Sequence, residues 1–118
     1  MHSSPILIQL LEKPVVIVQV NYKYAGDPVE WAKNYTQERA EMFVNLPGLK
    51  WKIWLDGPDE KMTGGLYLFE DRSSAQSYVD GPMLGRHKNN PAISELQVRI
   101  FDTRDEMTRV TRGPIFGD

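Results

Sequence analysis

The sequence predicts an α+β domain of the ferredoxin-like, split βαβ type: a four-stranded antiparallel sheet with two helices on one face. Three observations predict it. Strand-type runs occupy residues 15–24, 46–69 (as a hairpin) and 94–102. Helical spacing fills the interval before the hairpin and the interval after it. Glycine, proline, asparagine and aspartate punctuate every junction, giving the order strand, helix, strand, strand, helix, strand.

Residues 1–14 read as an N-terminal arm ahead of the domain, which spans residues 15–103. Residues 6–11 are apolar and suit either a short strand or a helical turn, and Pro14 separates them from the first strand. That strand, residues 15–24, is rich in β-branched and aromatic side chains. Val16, Val18, Val20, Tyr22 and Tyr24 share one of its faces. Val15, Ile17, Gln19, Asn21 and Lys23 share the other, apolar at one end and polar at the other. A strand apolar on both faces at its start is expected to be covered on both sides.

Asp27 suits an N-cap, Pro28 the first helical position, and Glu30 completes an approximate capping box. One helix is expected from there to about Asn45, burying the stripe Trp31, Tyr35, Met42, Phe43 and Leu46, within which Arg39 falls. Pro47-Gly48 ends the helix and opens the hairpin, whose aromatic strands flank a turn at residues 56–59. The hairpin is expected to form the centre of the sheet. Ser73 followed by Gln76 predicts the second N-cap, and Ala75, Tyr78 and Val79 the buried face. Gly81-Pro82 must break or kink that helix, with a short second segment at residues 83–88 to follow. Leu96, Val98 and Ile100 alternate with Gln97, Arg99 and Phe101 in the last strand. Residues 104–118 read as a polar tail.

The chain has 118 residues, 41% hydrophobic and 25% charged, which bounds it to one globular domain with a real core. The net charge of -2 and the lack of a basic tract give no electrostatic reason to expect nucleic acid. The apolar run near the N-terminus is too short to span a bilayer and has no basic start, so no membrane partner and a cytoplasmic location are expected. Cysteine is absent, which removes disulfides, thiolate metal sites and cysteine nucleophiles. With helices on one sheet face only, a homodimer packed through the sheet faces is the economical cover for the other.

The hairpin also carries a resemblance. Pro47-Gly48, Trp51-Lys52, Trp54 and then Gly64-Gly65-Leu66-Tyr67-Leu68-Phe69 resemble the YdhR family of monooxygenases. Ser74-Ala75 and the ending from Val98 to Asp102 are similar as well, so the likeness runs over most of the chain. The resemblance implies a dimeric α/β barrel. It also implies a cofactor-independent monooxygenase acting on a phenolic or polyketide-like aromatic substrate in a cavity within each subunit. A cyclase or isomerase of polyketide-like substrates in the same cavity, and a non-catalytic small-molecule-binding dimer, are the alternatives.

Residue type and placement nominate the candidate site residues. Trp51 and Trp54 are three apart, so a regular strand sends one to the cavity and one to the dimer side; the spacing does not say which. Gly64-Gly65 marks either a bulge or room for a flat ligand. Tyr67, Tyr78 and Tyr22 supply phenols that pack or donate hydrogen bonds to a substrate. Asn21 and Arg39 are polar groups in otherwise apolar settings, suited to orienting a carbonyl or stabilising an anion; for Arg39 the competing reading is snorkelling to solvent. His87, flanked by Arg86 and Lys88, is a general-base candidate, with an exposed loop position as the competing reading. Haem-degrading enzymes on this fold use a helix histidine, a strand asparagine and a tryptophan, which makes haem ligation by His87 a further alternative. The catalytic candidates are therefore His87, Tyr67 and Arg39, and the substrate-binding ones Asn21, Trp51, Trp54, Tyr78 and Tyr22. No phosphate loop, dinucleotide fingerprint, metal-ligand spacing or nucleophile motif is present, so no bound cofactor or metal is expected.

Overall fold

The computed structural model describes residues 14–116. The expected arm lies outside the described residues except for Pro14. Strand β1 (Val16–Tyr24) leads to helices α1 (Pro28–Ala32) and α2 (Gln37–Val44). The hairpin β2 (Leu49–Gly57) and β3 (Met62–Phe69) comes next, then α3 (Arg72–Val79), α4 (Pro82–Lys88), β4 (Ile93–Asp102) and α5 (Asp105–Val110). The strands form one antiparallel sheet in the order β2-β3-β1-β4, the split βαβ arrangement. The centre is therefore shared by β1 and the hairpin strand β3, not formed by the whole hairpin. Strand β1 is flanked by β3 and β4, and β2 is left at an edge.

Strict alternation along β1 buries Val16, Val18, Val20, Tyr22 and Tyr24. The register sets Phe69 and Tyr67 beside them on β3, and Phe43, Ala75, Tyr78 and Leu84 close this core from the helices. The opposite sheet face carries Ile17, Leu66 and Leu68, with Trp51 and Ile53 of β2 and Phe101 of β4 in register. Ile53 and Phe101 on that face are 47% and 45% exposed.

Four local expectations are corrected. The first helix is two: Thr36 adopts extended backbone, and its hydroxyl accepts the Arg39 N–H at 3.1 Å, restarting the helix as α2. The Asn34-Tyr35-Thr36 run has low helix propensity and competes for backbone hydrogen bonds, so the break falls there. The N-cap of α3 is Asp71, whose carboxylate accepts from Ser74 N at 2.8 Å, rather than Ser73; Gln76 turns instead to Asp80. Gly64-Gly65 is not a bulge, because both residues pair in unbroken register with β1 and β2. A Cβ at Gly64 would lie 1.8 Å from the Val20 carbonyl oxygen, so that residue is glycine because backbone passes too close. The C-terminal segment is not a featureless tail: it forms α5, buries Ile115, and accepts the Trp51 indole N–H at the Pro114 carbonyl, 2.8 Å away. The expected break at Gly81-Pro82 is present, between α3 and α4. Among the described residues no helix is long and apolar enough to cross a membrane.

Candidate active site

A cleft of about 420 Å³ opens between the helices and the helix-covered end of β1. Its walls include Tyr22, Trp31, Tyr35, Arg39, Phe43 and His87. A narrow recess of about 20 Å³ shares Tyr22, Tyr35, Arg39, Phe43 and His87, and adds Lys52, Trp54, Tyr67 and Tyr78. The break between α1 and α2 helps make the opening. It frees Tyr35 to hydrogen-bond Thr63, which donates in turn to the Leu55 carbonyl at 2.9 Å.

The rings form two groups, one of Tyr22, Tyr24 and Trp31 with the His87 ring and one around Phe43, Trp54, Tyr67 and Tyr78. Phe43 meets Trp54 edge-on at 5.4 Å and Tyr78 at 6.3 Å. Trp31 stacks on Tyr24 at 4.7 Å with an interplanar angle of 9°. Its indole nitrogen is buried with no hydrogen-bond partner among the described residues. The hydroxyls of Tyr67 and Tyr78 are hydrogen-bonded at 3.0 Å, and both rings are buried. Two hydroxyl protons and one shared bond leave one O–H to donate elsewhere. Burial, with the neighbouring tyrosines, pushes Tyr67 far above the usual phenol range, and burial also raises Tyr78. Burial pushes Tyr22 up to about 12. These phenols are therefore donors, not bases, near neutrality.

Against this aromatic wall stand three basic side chains. His87 is half-buried on α4, packs edge-on against Tyr22 at 5.1 Å, and hydrogen-bonds the Met83 carbonyl through Nδ1 at 3.1 Å. A carbonyl only accepts, so Nδ1 carries the proton and Nε2 of the neutral ring keeps its lone pair. Burial depresses the His87 pKa, the cations Arg39, Lys52 and Arg86 lower it further, and the Met83 bond opposes them. Arg39 is half-buried and lines both spaces rather than reaching out to solvent. Neither it nor Lys52 forms an ion pair among the described residues.

Lys52 is the residue that sequence reasoning missed. Its ammonium nitrogen lies 3.3 Å from the Trp54 ring centroid, 3.6 Å from that of Phe43 and 4.8 Å from that of Tyr67. Gly65 makes this placement fit, since a Cβ there would come within 3.0 Å of Lys52 Cε. Burial, reinforced by Arg39, pulls the Lys52 pKa down to about 7. A usable signal was present: Lys52 and Trp54 are two apart and so share a face, and that face meets Tyr67 across the hairpin.

Of the sequence candidates, the structure brings together Tyr22, Arg39, Trp54, Tyr67, Tyr78 and His87. It does not bring in Asn21 or Trp51. Asn21 pairs with Gly64 and Gln97 on the opposite sheet face, because it alternates with the cavity-facing Val20 and Tyr22. Trp51 pairs with Leu68 on that same face and is tied to the C-terminal segment. The register irregularity of β2 lies between Leu49 and Trp51, before the tryptophan pair, so the two indoles do diverge and Trp54 is the cavity one. His87 is a half-buried helix residue, not an exposed loop residue. Among the described residues, no Asp or Glu lines either space. Among the described residues no cluster of His, Cys, Asp and Glu could hold a metal ion.

Comparisons with known proteins agree with this architecture. Residues 17–114 match the family described as "Putative mono-oxygenase ydhR". No curated protein sequence matches the chain. The crystal structure of SnoaB, a cofactor-independent oxygenase from Streptomyces nogalater, superposes with a TM-score of 0.59 at 18% identity, over 77% of this chain and 94% of that one. The haem-degrader MhuD from Mycobacterium tuberculosis, solved with two haems in its active site, gives 0.56 at 22% identity, over 77% and 96%. At these identities the likeness is one of fold.

Proposed function

Because the chain belongs to the YdhR family, we propose that it is a cofactor-independent monooxygenase whose substrate is a phenolic or polyketide-like aromatic held in the cavity of each subunit. The observation that carries this reading is the composition of the cavity. Aromatic rings face Arg39, Lys52 and His87, and among the described residues no carboxylate opposes those three. Such a wall selects a flat, electron-rich ligand and favours its anion over its neutral form.

The chemistry needs that anion. A phenolate or enolate gives an electron to dioxygen far more readily than the neutral ring does. In the net reaction a ring methylene and dioxygen become a ring ketone and water: two C–H bonds break, and one oxygen atom enters each product. His87 Nε2 is the acceptor for the proton at the reacting carbon. Arg39 pairs with the charge that develops, and the spare hydroxyl proton of the Tyr67–Tyr78 pair is donated to the substrate oxygen. Tyr22, Trp54 and Phe43 hold the ring, which lowers the entropic cost of the encounter. The subunit works as a homodimer joined through the sheet face that bears Trp51, Ile53 and Phe101.

The test is turnover of a panel of anthrones and hydroquinones by purified protein, monitored by oxygen electrode and product analysis. Oxygen uptake above the spontaneous rate, reduced in His87→Ala and Arg39→Met, supports the reading. Product formed without oxygen uptake assigns the cavity to a cyclase or isomerase instead. Ligand-dependent thermal stabilisation with no product assigns it to a binding protein.

A further inference from the structure

We propose that Lys52 is the residue that ionises the substrate: its amine accepts the proton of a phenol hydroxyl seated in the inner recess, and the ammonium so formed pairs with the phenolate. This role rests on the proposed function only for the class of ligand, a phenol.

The geometry divides the ligand in two. The cleft of about 420 Å³ can hold fused rings, whereas the recess of about 20 Å³ can hold only a group the size of a water molecule or a hydroxyl. A ring that fills the cleft therefore reaches the recess with a polar substituent. There the substituent meets the Lys52 nitrogen and the Tyr67 hydroxyl, whose residues pair across β2 and β3.

The surroundings of Lys52 favour a proton that comes and goes. The groups facing it are Arg39 from α2, Tyr22 from β1, Tyr67 from β3, Tyr78 from α3 and His87 from α4. None of these is a carboxylate, so no anion pairs with the ammonium among the described residues, and Arg39 repels it. The rings of Trp54 and Phe43 lie close enough to stabilise the cation once it forms. In the transfer the phenol O–H bond breaks, an N–H bond forms, and net charge is conserved. His87 remains for the proton at the reacting carbon, so the two bases have separate tasks.

The probe is 2-naphthol, which is un-ionised in neutral buffer and whose phenolate absorbs at longer wavelength. Binding to the whole protein is measured by absorbance and by calorimetry at about pH 8, in buffers of different ionisation heat. The wild type is expected to show the bound phenolate band with no net proton released to buffer. Lys52→Met should bind the neutral naphthol and lose the band. Lys52→Arg should keep the band, because the cation remains, but release about one proton per naphthol, because arginine cannot accept it. A band that survives in Lys52→Met overturns the proposal, as does wild-type proton release equal to that of Lys52→Arg, or no naphthol binding by the wild type. A phenolate band without oxygen uptake on any substrate would leave Lys52 in this role and remove the oxygenase reading.

Discussion

The Lys52 ammonium nitrogen lies 3.3 Å above the Trp54 ring on the helix-covered face of the sheet, with no carboxylate among the described residues lining its recess. Taking an ammonium out of water costs several kcal/mol. Burial, reinforced by the charge of Arg39, pulls the Lys52 pKa down to about 7.

That shift fixes a stability profile. The folded pKa is about 7 and the unfolded one 10.5, so between these values the unfolded chain binds the extra proton and stability rises with pH. The penalty is complete below the folded value and relieved as pH climbs towards the unfolded one. Buried tyrosines with raised pKa act in the opposite direction only above the ordinary phenol range, so the clean window runs from about 7 to about 10. Chemical denaturation should show the wild type gaining on the order of 1–3 kcal/mol across it, and Lys52→Met a flatter line.

The adjacent glycines should respond differently to alanine. At Gly64 a Cβ meets the Val20 carbonyl oxygen at 1.8 Å, and a backbone atom inside a sheet cannot move away. Gly64→Ala should cost about 4 kcal/mol or more, or prevent folding. At Gly65 the nearest atom is Lys52 Cε at 3.0 Å, part of a flexible side chain, although the Ile53 carbonyl oxygen at 3.2 Å is also tight. Gly65→Ala should cost only about 1–2 kcal/mol and displace Lys52, altering the pH profile above. Urea titration of both variants separates these outcomes.

The sheet face opposite the core helices predicts an oligomeric state. Ile53 and Phe101 on it are large and half-exposed. Analytical ultracentrifugation should find a dimer, and Ile53→Asp should shift it towards monomer by placing a charge in the buried interface. An unchanged mass would rule out the sheet-face dimer.

The proton at the reacting carbon is assigned to His87. His87→Ala should lower kcat by about 10²–10⁴ with little change in KM, the usual range for loss of a general base. Steady-state kinetics on any substrate found in the panel measures this split.

The fold was legible because its signals are local. Alternation in β1, the Asp27-Pro28 start and the Gly81-Pro82 break each act through a few neighbouring residues, and the structure shows each. The break before Thr36 is hidden because its cap wins over a continuous apolar stripe, and the Asp71 cap because Ser73 with Gln76 offers a competing capping box two residues on. The site was harder because it is non-local. Whether Trp51 or Trp54 faces the cavity depends on the pairing register with β3, which one strand alone does not reveal. Lys52 was overlooked because a lysine between tryptophans looks like a solvated edge residue. Only Gly65 on the neighbouring strand leaves the space that draws it inward.

The most direct test of the oxygenase mechanism is isotope-labelled dioxygen with the best substrate from the panel. One labelled oxygen atom should appear in the ring ketone and one in water, at a rate that falls steeply in Lys52→Met and His87→Ala. Product carrying oxygen from solvent only, or labelling no faster than the spontaneous reaction, would contradict it.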